Sequence, residues 1–291
     1  MTLWKHYHLA NTVEDALEAL SAAPGPARLI SGGTDLLLDL QQGRHAPLDT
    51  IVDVTQIPGL CAIEERGDQL FIGAAVPLNH IVVSSLVQEH AQALLEACAL
   101  IGGPQVRNTA TLGGNVGHAL PAADGTIGLL ALDAQVEIAG TGRRRLEPIR
   151  KLFTGPGKSI LVADRELIVG FYLPLRGPNQ ASAFIRVMRP QGVALPIINM
   201  AAWLQREAKV IADVRLAVGP SGPTPRRGIT AEQALLGVTP DENALELALE
   251  SLLEEASFRT SPQRASSEYR RHLVGSLLRE AVMTAWERTF I

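Results

Sequence analysis

Residues 28–40 read RLISGGTDLLLDL, an apolar strand that runs into a Gly-Gly pair and then into a second apolar stretch. A similar arrangement returns about eighty residues later, where residues 109–125 read TATLGGNVGHALPAADG. Glycine has no Cβ, so it adopts positive φ angles and lets a ligand approach the main chain closely. Both stretches therefore predict turns in which the backbone, rather than a side chain, is the binding surface.

One such loop alone is best interpreted as a tight turn, but two of them indicate a shared ligand. Successive N–H groups in a turn beside the start of a helix form a concavity suited to phosphate. In the first loop Asp35 is expected to cap the helix that begins near Leu36, and Thr34 adds a hydroxyl donor. The pair predicts a clamp around a diphosphate. Neither loop fits Gly-x-Gly-x-x-Gly, which argues against a Rossmann dinucleotide site.

The composition is that of a globular protein. The chain has 291 residues, of which 46% are hydrophobic and 19% charged, so it is long enough for two or three compact units. Its net charge of −4 argues against nucleic acid as the main partner, because phosphate binding needs a basic face. The most basic stretch, GRRRLEPIRK at 142–151, is interpreted as a solvated strand or loop edge rather than an anion site.

The cysteines and the hydropathy pattern indicate the cellular compartment of the chain. Cys61 and Cys98 lie far apart without metal-binding spacing, which argues against a metal or iron–sulfur cluster on this chain. Their apolar neighbours predict buried free thiols in a reducing compartment. The N-terminal stretch lacks the pattern of a signal peptide, and no apolar run is long enough to span a membrane. We therefore expect a cytoplasmic chain with no membrane partner.

Two units are predicted before a linker. Residues 1–55 form a small βαβ-like unit whose helix, at 12–22, begins with Thr12 and Asp15 at capping-box spacing. Residues 56–176 add further strands and a helix at 86–102 that ends in Gly-Gly-Pro. The turn-rich LRGPNQ at 175–180 is the best candidate for a linker.

The last unit, residues 177–291, predicts an α+β plan. Three strand patterns, ASAFIRVM, IINMAAWLQ and VIADVRLAVG, precede a run of helical patterns. The charged REAK between the last two strands is typical of a hairpin. We expect a three-stranded antiparallel sheet packed by helices.

Other candidate motifs predict less. GPGKS at 155–159 is not a Walker loop, because Leu152 stands where the first glycine must be and Pro156 removes a backbone donor. His6 and His8 share one face of a strand, and surface histidines are a better interpretation than metal ligands.

The second Gly-Gly stretch contains two more candidates. His118 is more suited to line a ligand than to bind a metal, and Asp124 is either a helix cap or an acceptor for a hydroxyl. No nucleophile elbow and no Cys/His pair occurs, so no catalytic residue is predicted.

Taken together, these motifs resemble those of the flavin subunits of the molybdenum hydroxylases. SGGTDLLLDLQQG is similar to the first FAD loop of that family, and QVRNTATLGGN with PAAD is similar to the second. TIVDVTQIPGL, FTGPGK and RTSPQRASSEYRRHLVGSLL extend the resemblance over nearly the whole chain, and the last two are most similar to the xanthine dehydrogenase branch. The resemblance implies a vanillyl-alcohol-oxidase-type FAD-binding fold in two subdomains, 1–55 and 56–176, and a C-terminal α+β domain at 177–291.

The resemblance also implies which residues contact FAD. They are Leu29, Ile30, Ser31, Gly32, Gly33, Thr34, Asp35 and Leu36 in the first loop, Thr111, Leu112, Gly113, Gly114 and Asn115 in the second, and Ile101, Asp124, Ile168 and Ala194 elsewhere. The backbone N–H groups of Gly32, Gly33, Thr34 and Gly114 would hold the diphosphate.

The segment IRVMRPQGVAL at 185–195 would place Val193 or Ala194 near the flavin ring. Relatives often carry a basic residue where Ile185 stands and an acidic one where Val193 stands. Arg186 is able to replace the former.

The function that the resemblance implies is electron transfer. FAD on this chain would take electrons from [2Fe–2S] centres on a small partner subunit, supplied by a large subunit that holds the molybdenum cofactor, and pass them to NAD⁺ or another acceptor. Two alternatives stay open. One is a free-standing FAD-dependent oxidoreductase of the same superfamily. The other is an assembly subunit that has lost its flavin, against which the intact Gly-Gly loops count.

Overall fold

The computed structural model describes residues 2–189, 195–262 and 264–290. The N-terminal unit contains three strands and two helices: β1 (Trp4–Leu9), α1 (Val13–Ala22), β2 (Ala27–Ile30), α2 (Leu36–Gln41) and β3 (Leu48–Asp53). The strands form a parallel sheet in the order β1-β3-β2. The predicted cap of α1 is confirmed, since the Thr12 side chain accepts from the Asp15 N–H at 3.0 Å.

The second unit is a five-stranded sheet with helices against it. Its elements are β4 (Ile63–Arg66), β5 (Gln69–Gly73), α3 (Leu78–Val82), α4 (Ser85–His90), α5 (Gln92–Ala99), α6 (Pro104–Arg107), α7 (Leu112–Gly117), α8 (Asp124–Ala131), β6 (Gln135–Gly140), β7 (Arg143–Pro148), β8 (Phe153–Gly155), β9 (Lys158–Ser159) and β10 (Glu166–Pro174). The antiparallel order is β4-β5-β10-β6-β7, and β8 and β9 form a separate hairpin.

The helix predicted over 86–102 is interrupted. It is two helices, α4 and α5, which meet at Ala91, where φ is −140° and ψ is 49°. At the break, the N–H of Ala93 near the start of α5 donates to Ser182 Oγ at 3.0 Å, so a residue of a distant strand supplies the acceptor that a continuous helix would have supplied.

The C-terminal unit contains β11 (Gln180–Met188), β12 (Pro196–Glu207), β13 (Val210–Gly219), β14 (Arg226–Arg227), α9 (Ile229–Leu235), α10 (Glu242–Glu255) and α11 (Ser267–Arg288). The three predicted antiparallel strands are confirmed, and the two-residue β14 adds a short fourth.

This sheet is buried on both faces. On β12, Ala202 and Leu204 point into a core shared with α9, α10 and α11, whereas Ala201 and Trp203 point into the core of the second unit. Successive side chains of a strand point to opposite faces, so the alternation places one sheet between two helical layers. The predicted linker at 175–180 therefore crosses between units that pack together, and the predicted domain boundaries stay a prediction.

Helix α5 fastens the second unit to this sheet. The Glu96 carboxylate accepts from the N–H of Phe184 on β11 at 2.8 Å and from Arg288 Nη2 at 2.6 Å. Arg288 also donates to the carbonyl of Ser182 at 2.8 Å. One carboxylate thus joins a helix of the second unit to the first strand and last helix of the C-terminal unit.

Two surface expectations have different outcomes. The basic stretch at 142–151 is confirmed as a strand edge, since β7 lies at the margin of its sheet. The expectation that both thiols are buried is wrong for Cys61, which is exposed and donates to the Thr55 carbonyl at 3.3 Å, while Cys98 is fully buried.

Within 2–189, 195–262 and 264–290, no helix is both long and apolar enough to cross a bilayer.

Candidate functional site

A cavity of about 1060 Å³ lies between the two Gly-Gly loops and the end of the C-terminal sheet. Of the predicted contact residues, the ones that line it are Leu29, Ile30, Ser31, Gly32, Gly33, Thr34, Asp35, Leu36, Ile101, Thr111, Gly113, Gly114, Asn115, Asp124 and Ile168. Leu112 does not line it, because its side chain is fully buried in the core beneath the second loop. Val193 and Ala194 lie outside the described residues.

The first loop, between β2 and α2, needs both of its glycines. Gly33 has a φ of +66°, a left-handed conformation that favours glycine. A Cβ on Gly32 would lie 2.2 Å from the carbonyl oxygen of Thr109, in the segment that leads into the second loop. The missing side chain therefore allows the two loops to touch.

The first loop also has unused donors. Among the described residues, no protein acceptor is hydrogen-bonded to the N–H groups of Gly32, Gly33 or Thr34. Ser31 Oγ is buried and likewise has no partner among those residues. Polar groups that face a cavity and lack partners indicate a ligand that supplies acceptors.

Asp35 does not cap α2 as predicted. It occupies the position before Leu36, but its backbone is already helical and its side chain makes no capping bond. Instead its carboxylate lies 3.6 Å from His118 Nδ1, at the end of α7. The neighbouring His118 ring lowers the pKa of the Asp35 carboxyl, and the carboxylate in turn raises the pKa of His118. This ion pair joins the two loops across the cavity.

In the second loop, the glycine N–H groups donate to acceptors of the protein itself. Thr111 Oγ1 caps α7 by accepting from the Gly114 N–H at 3.1 Å, and the Gly113 N–H donates to the Ala74 carbonyl at 2.9 Å. The Gly114 N–H thus already has a protein acceptor, and its predicted contact with a diphosphate stays a prediction. A Cβ on Gly113 would lie 2.6 Å from the same Ala74 oxygen, so this glycine serves close packing.

Asp124 is the first residue of α8 and lies in a buried network. Its carboxylate accepts from Arg186 Nη1 on β11 at 2.5 Å and from Asn199 Nδ2 on β12 at 2.6 Å. The side chains of Asp124 and Arg186 are each only 4% exposed. Burial raises the pKa of Asp124, against the opposing effects of Arg186 and Asn199. Asp124 is not the cap of α8, whose capping position is Ala123.

The segment FTGPGK lines the cavity although it is not a Walker loop. Thr154, Gly157, Lys158 and Ser159 all face the cavity from the β8–β9 hairpin. The Gly157 N–H donates to the Ala119 carbonyl at 3.0 Å, which places the hairpin beside the second loop. These residues were not among the predicted contacts, and the resemblance of FTGPGK to the flavin subunits was the available signal for them.

The residues present fit an elongated ligand with a diphosphate. The first loop supplies unpartnered N–H groups, Asn115 Oδ1 in the second loop is buried without a partner among the described residues, and Ile101 and Ile168 supply apolar walls. No cluster of three or more His, Cys, Asp or Glu side chains suited to a metal occurs in the described part of the chain.

Comparisons with known proteins agree with this geometry. A family model described as the FAD binding domain in molybdopterin dehydrogenase matches residues 3–176, and one described as the CO dehydrogenase flavoprotein C-terminal domain matches residues 183–285. The chain is 33% identical over 282 residues to the xanthine dehydrogenase FAD-binding subunit of Escherichia coli O157:H7, covering 96% of this chain and 95% of that one.

Two further likenesses extend over the same length. The nicotine 6-hydroxylase medium subunit of Paenarthrobacter nicotinovorans is 34% identical over 280 residues, 96% of each chain. A solved structure of carbon monoxide dehydrogenase from Hydrogenophaga pseudoflava superposes with a TM-score of 0.93 at 26% identity over 99% of both chains. The fold class expected from the motifs, a FAD-binding fold followed by an α+β domain, is confirmed.

Proposed function

The chain belongs to the family of FAD-binding subunits of the molybdopterin dehydrogenases, and on that premise we propose that it is the electron-transfer subunit of a heteromeric, xanthine dehydrogenase-like molybdenum hydroxylase. It is an oxidoreductase subunit and a flavoprotein of the molybdenum hydroxylase type. The proposal adds the direction of electron flow, from [2Fe–2S] centres of a small subunit to NAD⁺ or another acceptor, and a cytoplasmic location.

One observation carries the proposal. The cavity is lined by both Gly-Gly loops, and three residues of the first loop that line it, Gly32, Gly33 and Thr34, have N–H groups without an acceptor among the described residues. Backbone N–H groups on a glycine-rich turn are suited to hold a diphosphate. FAD is a long ligand with a diphosphate at its middle, so it needs both such donors and extended walls.

When bound, FAD supplies the ability to accept electrons singly and deliver them in pairs, and the protein supplies binding, orientation and electrostatics. We assign the diphosphate contact to the N–H groups of Gly32, Gly33 and Thr34. Ser31 and Asn115 offer buried polar atoms to the ligand, and Ile101 and Ile168 exclude water from its apolar parts.

The buried Asp124–Arg186 pair has a different role. Arg186 lines the cavity from the C-terminal sheet and donates to Asp124. Asn199 also donates to Asp124 and so fixes the position of this carboxylate. We propose that this pair sets the electrostatic environment of the flavin, because charges act more strongly in a site without water than they do in water.

The partner subunits are inferred from relatives. A relative of 34% identity is named as a medium subunit, and others are named as a medium chain and as a subunit of a dehydrogenase complex. We propose that this chain likewise assembles with a large subunit that holds the molybdenum cofactor and a small [2Fe–2S] subunit.

The test is an absorption spectrum with metal analysis of the purified full chain, before and after incubation with FAD. We expect flavin bands at a stoichiometry of about one FAD per chain, without iron or molybdenum. A chain that takes up no FAD would overturn the proposal. Purification from cells that also produce the proposed large and small subunits then distinguishes a subunit of a complex from a free-standing oxidoreductase. The subunit would be isolated together with its partners, and the free-standing enzyme would be isolated alone.

A further inference from the structure

A second cavity, of about 700 Å³, lies at the seam between the N-terminal unit and the second unit. The end of α1, the start of β2 and the loop before β3 line it on one side, and the β6–β7 turn and the segment before β10 line it on the other. Arg28, Leu36 and His45 line both this seam cavity and the larger cavity that we assign to FAD. The seam cavity has the size of a small-molecule site.

The floor of the seam cavity is apolar. Leu20 of α1, Ala27 of β2 and Leu48 of β3 line it, and these residues are 3%, 8% and 6% exposed. Leu36, at the start of α2, adds an apolar wall. A flat, weakly polar group that covers this floor removes apolar surface from water, which favours its binding.

One wall of the seam cavity is the free edge of a strand. Among the described residues β2 pairs with β3 alone, and the carbonyls of Pro26 and Ile30 accept from the N–H groups of Asp49 and Val54 on that side. Because the main-chain groups of successive strand residues point to opposite sides, the N–H and C=O of Ala27 point away from β3. Neither group has a hydrogen-bond partner in the described part of the chain. Ala27 therefore offers one donor and one acceptor to a ligand in the cavity.

The rim of the seam cavity has an excess of positive charge. Arg28 and Arg165 line it, and within residues 2–189, 195–262 and 264–290 Arg28 makes no ion pair and no side-chain hydrogen bond. Arg165 Nε lies 3.9 Å from the neighbouring Asp164 carboxylate, and both side chains are exposed, so water screens this pair. Guanidinium groups bind phosphate oxygens in pairs, which makes the rim suited to a phosphate.

We propose that the seam cavity is a second nucleotide site, which binds a nucleoside monophosphate beside the FAD. The base lies on the apolar floor with its polar edge against the N–H and C=O of Ala27, and the phosphate meets Arg28 and Arg165. An added peptide strand is a poorer fit, because it needs alternate residues along the edge, and the next such residue, Leu29, lines the FAD cavity. The inference goes beyond the proposed function and uses residues outside the Gly-Gly loops.

The test is isothermal titration of the FAD-loaded full chain with AMP and, separately, with UMP, one purine and one pyrimidine nucleotide. Adenosine and inorganic phosphate probe the two halves of the ligand. We expect at least one nucleotide to bind at one per chain, with the flavin absorbance retained and at least tenfold more tightly than adenosine or inorganic phosphate. A FAD-loaded chain that binds neither nucleotide overturns the inference.

Two variants locate the binding. Arg165→Gln removes an arginine that lines the seam cavity but not the FAD cavity, and it should weaken the nucleotide about tenfold, a change of about 1.4 kcal/mol, without altering FAD affinity. Ser21→Trp, at an exposed position on the rim, should fill the cavity and abolish nucleotide binding. Arg150→Gln, at an exposed arginine outside both cavities, is the matched control. Wild-type nucleotide affinity in both Arg165→Gln and Ser21→Trp would place the nucleotide elsewhere and overturn the inference.

The remaining outcomes separate this inference from the proposed function. AMP that binds the FAD-free chain and is displaced by FAD would mean that the seam cavity holds the adenosine half of FAD, which overturns the inference while the proposed function stands. Inorganic phosphate that binds as tightly as the nucleotides also overturns it, because the arginines then hold a free anion. A chain that takes up no FAD overturns the proposed function alone, since titration of that chain and of its Arg165→Gln variant with AMP and UMP still decides the inference.

Discussion

A β-carbon on Gly32 would lie 2.2 Å from the carbonyl oxygen of Thr109, so the two Gly-Gly loops meet through a contact that only glycine permits. The neighbouring atoms belong to the backbone of Thr109 and Ala110, so they cannot swing aside as the end of a flexible side chain would. Every other residue at this position forces the loops apart.

Gly32→Ala is therefore expected to destroy FAD retention and to destabilise the chain by about 1–3 kcal/mol, the usual cost of overpacking. Flavin content after gel filtration and urea unfolding of the apoprotein measure the two effects. Gly59→Ala is the control, because a Cβ there meets no atom within 4 Å and φ is not positive. Normal FAD content in Gly32→Ala would show that the loops do not need this contact.

Gly33→Val tests the second glycine of the pair by a different property. Gly33 has a φ of +66°, and a β-branched residue there is strained whatever the space around it. We expect this variant to lose FAD while its C-terminal unit keeps its helices, as judged by circular dichroism and flavin absorbance. Full flavin occupancy would reduce the loop to a simple turn.

The buried Asp124–Arg186 pair is expected to be sensitive to the loss of one partner. Arg186→Met leaves a carboxylate that is 4% exposed without its cation, at a cost of about 3 kcal/mol in unfolding free energy at pH 7. Urea unfolding of the apoprotein measures it. Adding Asp124→Leu should restore part of the loss, since replacing both charges by apolar groups is far less costly. The exposed pair Glu242–Arg279 supplies the control, where Glu242→Gln should cost far less than Arg186→Met because water screens the pair.

The Asp35–His118 pair predicts a pH dependence. The pKa of His118 is raised in the folded chain, so its stabilisation is fully present below its ordinary value of 6.5 and is lost as the pH rises through the raised pKa. The pKa of Asp35 is lowered, so its share is lost only in acid, below 3.8. Both side chains are partly exposed, which limits the effect to less than about 1 kcal/mol.

His118→Gln should therefore be less stable than the wild type at pH 5.5 and equal to it at pH 8.5, measured by urea unfolding. His272→Gln, at an exposed position on α11, should show no such pH-dependent difference. An equal loss at both pH values would mean that the ring acts by packing and not by charge.

Glu166 predicts an acid-dependent loss of stability. Arg145, and with smaller effects the Val162 N–H and Arg143, hold the pKa of this carboxyl at about 2. Its contribution is fully present above its ordinary value of 4.5 and is lost as the pH falls through about 2. Glu166→Gln should cost about 2 kcal/mol at pH 7 and progressively less in acid, by urea unfolding. The exposed Glu254→Gln should stay within about 0.5 kcal/mol of the wild type throughout.

The sequence predicted local structure well, because local patterns decide it. The cap at Thr12, the hairpin at REAK and the first loop all depend on residues within a few positions of one another. The break at Ala91 could not be predicted, because it depends on Ser182, which is 89 positions from Ala93, the residue it contacts.

The same limit applies to the site. Both loops were predicted and most of the predicted contact residues line the cavity, but the partners of the charged residues were not predicted. Asp35 was expected to cap a helix and instead pairs with His118, and Asp124 finds Arg186 across 62 positions. Ion pairs between distant segments depend on the packing of whole units, which short-range patterns do not describe.

The contacts of Glu96 limit where this chain can be cut into fragments or joined to a relative. One carboxylate joins α5 to β11 and to the end of α11, and the C-terminal sheet is covered on both faces. The boundary predicted after residue 176 therefore divides the sequence but not the hydrophobic core. A fragment that ends there would expose an apolar face to water and is expected to aggregate. Hybrid chains between relatives should accordingly be functional only when the seam keeps α5 and the C-terminal sheet from the same parent.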